Sequence, residues 1–216
     1  MNWTKDETVA IITLTNGENR QNLVFSKTLN AMLDEIIADK TITALIITSD
    51  DAKNFSQGID VTWIMGQLEK NDHQPVNDFI NEMDNVFKKL LLYPVPVIAA
   101  INGHAFGNGS ILTCACDFRF MRSDKGFFCF PEVNISIPFR WGMNAFVKKA
   151  IPIHLLSQMQ LTGNRFTAPE LEKNNIIVKA CADQEDLMAT TIAFAKTFQK
   201  KRSIFGEMKR RLYNDI

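Results

Sequence analysis

The apolar positions change period several times along the chain. Residues 8–15, TVAIITLT, are β-branched and apolar and stop at Asn16-Gly17, a turn signal, so they read as a strand. Ser26 can cap a following helix in which Leu29, Met32, Leu33, Ile36 and Ile37 repeat at helical spacing. The run TALIITSD at 43–50 is continuously apolar before a polar turn, the pattern of a strand buried on both faces. Residues 75–91 carry the clearest helical stripe: Val76, Phe79, Ile80, Met83, Val86, Phe87, Leu90 and Leu91. Pro94 and Pro96 end it and lead into a strand at 97–101.

A short helix is expected at 110–116, strands at 117–123 and 126–130, and helices near 142–150, 154–161 and 184–199. Thr167-Ala168-Pro169-Glu170 has the form of a capped helix start. Strands and helices alternate and then helices gather at the end, which argues an α/β fold on one main sheet system. No repeat of fixed period and no low-complexity linker divides the chain.

Composition narrows the function classes. Lys plus Arg balance Asp plus Glu at 24 each, which leaves no basic footprint for nucleic acid. No apolar run is long enough to span a membrane. The start MNWTKDETVAIITLT has the pattern of a strand rather than a signal peptide, and LYNDI at the end carries no peroxisomal or ER-retention signal. Cys114, Cys116, Cys129 and Cys181 lack zinc-ligand spacing and there are only three His, so buried reduced thiols and a cytoplasmic setting are expected, with no metal.

Two loops share one construction. NFSQGID at 54–60 and GHAFGNG at 103–109 each follow a buried strand and place glycine before a helical segment. Neither matches a phosphate loop or a dinucleotide fingerprint, because the Lys-Ser/Thr and the G-x-G-x-x-G spacing are missing. Glycines that only make tight turns are one reading. The other is a pair of loops whose free helix-start N–H groups face one point and hold a developing negative charge. A third element is Glu132, inside the apolar stretch FFCFPEVNISIPF at 127–139. It is either a solvent-facing loop carboxylate or a desolvated one, and desolvation would raise its pKa toward that of a useful proton-transfer base.

Taken in order, FSQGID (55–60), NGHAFGNG (102–109), CD (116–117), PE (131–132), IP (137–138) and LTGNRFTAPEL (161–171) resemble the motifs of the crotonase family, the enoyl-CoA hydratases and isomerases. The resemblance runs from about residue 8 to about residue 180. It implies a spiral of β-β-α units over 1–180 and a short C-terminal helical extension over 181–216, shorter than is usual in the family. It implies an acyl-CoA ligand, no separate cofactor, and a homotrimer or a dimer of trimers. The thioester carbonyl is then held by the backbone N–H groups of Ile59 and Asn108, beside Gly58 and Gly107, and Glu132 moves protons. Asn108 replaces the usual glycine. Hydratases carry a second glutamate where this chain has Ile111.

One carboxylate with an oxyanion hole suffices to move a double bond from the 3 to the 2 position of an enoyl thioester, whereas adding water calls for a second group. The expected activity is therefore an isomerase. A hydratase, a thioester hydrolase or a non-catalytic acyl-CoA-binding protein are the alternatives. Arg20 and Lys53 fall where the family contacts CoA, or are solvated surface charges. Trp63, Ile64, Phe139 and Trp141 line the acyl pocket, or pack in the core. His104 reads as structural, and Asp60 as the cap of the helix after its loop.

Overall fold

The computed structural model describes residues 1–216. The N-terminal strand segment is a hairpin: β1 (Asn2–Asp6) turns at Glu7, which takes a positive φ of 54°, and pairs antiparallel with β2 (Val9–Leu14). Helix α1 (Leu23–Ala38) starts earlier than expected. Asn22, not Ser26, is its cap, accepting from the Phe25 N–H, and the Ser26 hydroxyl is buried and donates to the Leu23 carbonyl. Both residue types can cap a helix, and the choice rests on where the chain leaves its loop.

Three consecutive turns then follow one plan. Strand β3 (Ala44–Ser49) leads to β4 (Asn54–Ser56) and to helices α2 (Val61–Glu69) and α3 (Gln74–Leu92). Strand β5 (Val97–Ile101) leads to β6 (His104–Phe106) and α4 (Asn108–Ala115). Strand β7 (Phe118–Arg122) leads to β8 (Phe128–Cys129), a 3-10 turn (Glu132–Ile135) and α5 (Trp141–Ala150). Helix α6 (Ile153–Thr162), β9 (Arg165–Phe166), α7 (Ala168–Lys173) and β10 (Lys179–Cys181) close the sheets, and α8 (Gln184–Lys196) and α9 (Arg202–Leu212) end the chain. The first strand of each turn joins a six-stranded sheet in the order β1-β2-β3-β5-β7-β10, parallel apart from the hairpin. The second joins a four-stranded sheet in the order β4-β6-β8-β9. This is the expected α/β spiral of β-β-α units.

The alternation along the central strands explains their continuous apolar composition. Leu45 and Ile47 of β3 and Val97, Ala99 and Ile101 of β5 point into the main core, with α1 and α3. Ala44, Ile46, Ile98 and Ala100 point the other way, where α8 covers them with Leu187 and Ala195. A strand with helices on both faces has no solvent side on which to place polar residues. Helix α9 is tied down through Lys209, whose buried ammonium donates to Asp117 at 2.8 Å and to the Leu90 carbonyl at 3.1 Å. Asp117 also accepts from the Val97 N–H at 2.8 Å, so the Cys-Asp pair after α4 is a structural joint.

Candidate active site

The two glycine loops meet. Gly58 has φ +77°, a backbone state that other residues reach only with strain. A methyl group there would lie 2.6 Å from the Phe106 carbonyl oxygen and 3.0 Å from the Asn108 nitrogen, so only a bare α-carbon lets the first loop rest on the start of α4. The peptides flanking Ile59 are committed to Gln21. The Gln21 N–H donates to the Gly58 carbonyl at 2.8 Å, and the Asp60 N–H donates to the Gln21 carbonyl at 2.9 Å. The Ile59 N–H stands outside this short parallel ladder. The Asn108 N–H opens α4, where the helix supplies no acceptor. Asp60 caps α2, accepting from the Trp63 N–H at 3.0 Å.

A buried polar chain fixes this junction. The Asn108 amide donates to Gln21 Oε1, the Gln21 amide donates to Ser56 Oγ at 3.1 Å, and the Ser56 hydroxyl donates to the Asn19 carbonyl at 2.7 Å. Asn108 is therefore held by its side chain as well as its backbone, while its Oδ1 is buried without a hydrogen-bond partner. The far end of α4 is anchored by cations. Lys149 donates to the Cys114 and Cys116 carbonyls at 3.1 and 2.7 Å, and Arg119 donates to those of Thr113 and Cys116 at 3.2 and 3.1 Å. Positive charge on the last carbonyls of a helix complements its dipole. Burial pushes the Lys149 amine down to about 8.

Glu132 opens the 3-10 turn after Pro131. A methyl group on Gly107, which has φ +53°, would lie 3.2 Å from Glu132 Oε1, so the carboxyl group sits against the glycine that precedes Asn108. Burial pushes the Glu132 carboxyl up to about 7, only partly offset by its own backbone N–H. Its Oε2 is buried with no partner. A carboxylate with neither a cation nor a donor on that oxygen is a poor structural element and a capable base.

Ile59, Asn108 and Glu132 line one cavity of about 140 Å³, together with Ile64. Helix α3 supplies its apolar wall through Phe79, Met83 and Phe87. A second, more open cavity of about 420 Å³ shares Glu132, Ile137 and Pro138 with the first and is bounded also by Phe139 and Leu161. Several expected pocket residues lie elsewhere. Trp63 packs edge-on against Phe79 at 5.8 Å, outside the cavity wall. Phe139 packs on Phe130 and borders only the second cavity. Trp141 is 95% exposed and lines neither, because α5 begins with its side chain turned outward.

Arg20 is exposed and paired with Glu18 at 2.7 Å, and Lys53 is exposed beside the first loop, its carbonyl accepting from the His104 N–H. Both are at the surface, away from the cavity lining. His104 is structural in its contacts: its Nδ1 accepts from the Phe127 N–H at 3.2 Å. Ile111 is fully buried in the main core. The sequence reading missed the wall formed by α3, by Arg140 and by Met143. A helical stripe marks a buried face without telling core from cavity. All four cysteines are free and buried, and no three His, Cys, Asp or Glu side chains converge on one point.

The fold is a β-β-α spiral that brings the N-terminus of α4 and its neighbouring loop together beside one desolvated carboxyl group. The chain belongs to the enoyl-CoA hydratase/isomerase family, whose pattern it matches over residues 4–215. It is 29% identical to enoyl-CoA delta isomerase 2, peroxisomal, of Arabidopsis thaliana, over 95% of this chain and 89% of that protein. It is 26% identical to the short-chain-enoyl-CoA hydratase of Clostridium acetobutylicum, over 97% of this chain and 79% of that protein. The apo structure of an enoyl-CoA isomerase from Mycobacterium tuberculosis superimposes with a TM-score of 0.87 at 22% identity, covering 99% of this chain and 91% of that one, which shows a shared fold. No helix of the chain is long and apolar enough to cross a membrane.

Proposed function

We propose that this protein is an enoyl-CoA isomerase that moves a double bond from the 3 to the 2 position. The observation that carries this reading is Glu132, the cavity carboxyl group with no partner on Oε2 and a pKa pushed up to about 7. The thioester oxygen accepts from the N–H groups of Ile59 and Asn108. Glu132 takes a proton from C2, and the electron pair spreads through the thioester as a dienolate held at that oxygen. The protonated carboxyl group returns the proton at C4, so the double bond ends between C2 and C3 and Glu132 is regenerated. No group other than the bound CoA ester is needed. Ile111, apolar and buried, supports a reaction with one acid–base group.

Incubation with enoyl-CoAs of different double-bond position, with products separated by chromatography and identified by mass, is the test. Conversion of 3-hexenoyl-CoA to 2-hexenoyl-CoA is expected, and its loss in Glu132→Gln while CoA still binds. Retained turnover in that variant refutes the assignment.

Hydration is the second reading, and the similarity to a short-chain-enoyl-CoA hydratase favours it. Hydration of crotonyl-CoA as fast as isomerisation would establish it. The exposed apolar side chains Val133, Ile135, Trp141 and Leu161 support self-association, and a homotrimer is what the family resemblance implies.

A further inference from the structure

The cavity has a charged strap in its wall. Asp84, on α3, and Arg140, the residue before α5, both border the space that holds Ile59, Asn108 and Glu132. The guanidinium donates to both carboxylate oxygens, Nη1 to Oδ1 at 3.2 Å and Nη2 to Oδ2 at 3.1 Å. The rest of the wall on this side is apolar, from Phe87 and Met143. The pair is half exposed, 51% for Asp84 and 49% for Arg140, so it forms the face of the cavity that meets solvent.

We propose that the Asp84–Arg140 pair is a latch that sets acyl chain length, closed over short chains and displaced by long ones. The proposal rests on the reading of the cavity as an acyl-CoA site. At about 30 Å³ for a group the size of a water molecule or methylene, 140 Å³ takes on the order of five carbons. A longer chain has to leave the cavity. Apart from the border with the second cavity at Ile137 and Pro138, this pair is the part of the lining held by half-solvated side chains. An exposed ion pair is weak enough to be opened by ligand binding, at a cost of up to about fivefold in affinity. Each further methylene that finds apolar cover beyond the latch returns about fourfold. Affinity therefore rises with chain length, pauses where the chain meets the pair, and rises again.

The test is binding of saturated hexanoyl-CoA and decanoyl-CoA, which cannot turn over, measured by calorimetry on the full chain. Asp84→Asn removes the attraction at nearly constant shape. It is expected to raise the ratio of the hexanoyl-CoA to the decanoyl-CoA dissociation constant by up to about fivefold. The exchanged pair, Asp84→Arg with Arg140→Asp, is expected to bring the ratio back toward wild type. High salt is expected to shift the ratio in wild type and not in Asp84→Asn, because CoA phosphate contacts are common to both ligands and cancel. An unchanged ratio in Asp84→Asn overturns the proposal. So does a change seen in Ile137→Ala alone, which would put the exit toward the second cavity. Failure of both thioesters to bind at all overturns the acyl-CoA reading itself, and the latch with it.

Discussion

Replacing Glu132 by Gln separates catalysis from stability in opposite directions. The carboxyl group is at about 7 in the folded protein against 4.5 for an ordinary glutamate. Burial favours its neutral form, so the native state holds a proton that the unfolded chain releases. Below the unfolded value both states are protonated and Glu132 adds no cost. As pH rises from there to about 7 the unfolded state ionises first and the native state loses stability. Above about 7 the penalty is complete, about 3 kcal/mol at 1.36 kcal/mol per pKa unit. At pH 8 nearly all of it is present, and at about pH 5 less than ~1 kcal/mol.

Gln cannot ionise, so the stability of Glu132→Gln minus that of wild type should grow by ~2 kcal/mol or more between these two pH values. The pH dependence is the diagnostic, because the Gln amide has hydrogen-bonding costs of its own that do not vary with pH. Urea unfolding of both proteins across this range measures it. The wild-type kcat/KM for isomerisation should rise through the same apparent pKa, since only the ionised carboxylate can take the C2 proton. A stability difference that stays flat from pH 5 to pH 8 would refute the argument that Glu132 is desolvated, and with it the physical basis for its proposed role as base.

Three further substitutions test the framework around it. Gly107→Ala puts a side chain at φ +53° and against Glu132 Oε1, so a loss of ~1–3 kcal/mol and a fall in kcat of tenfold or more are expected in unfolding and turnover assays. Asn108→Gly keeps the backbone N–H but leaves Gln21 Oε1 without its donor. It should cost ~1–3 kcal/mol in urea unfolding while retaining measurable isomerisation. Asp117→Ala strands the buried Lys209 ammonium and the Val97 N–H. A loss of ~3–5 kcal/mol is expected, together with faster hydrogen exchange in α9.

Much of the site was legible in the chain because its signals are local. The glycines of NFSQGID and GHAFGNG announce close backbone approach, and Gly58 and Gly107 have the positive φ values that require glycine. Asp60 stands directly before α2 and caps it. Glu132 stands out in sequence as one acid among phenylalanines, although Gly107 and the cavity lining beside its carboxyl group come from distant parts of the chain. The helix cap at Asn22 was misassigned to Ser26 because the two lie four residues apart and differ only in where the preceding loop ends. Trp141 is turned to solvent, and an aromatic side chain near a motif carries no sign of which way its helix is rotated.

The short strands β4, β6, β9 and β10 carry no legible pattern, but the sequence by itself determined the central strands and the longer helices in order, the double-sided burial of β3 and β5, the paired glycine loops and the single acid in an apolar setting. Each depends on residues adjacent in the chain or on a repeat that burial on one or two faces imposes. Only the tertiary structure decided that Gly58 rests on the Asn108 nitrogen, that α3 turns part of its apolar stripe toward a cavity, and that Asp84 meets Arg140 from 56 residues away. The physical reason is common to all three. Apolar periodicity records that a face leaves water, but it does not record what covers that face. The pairing of distant charges and backbones leaves no trace in local pattern.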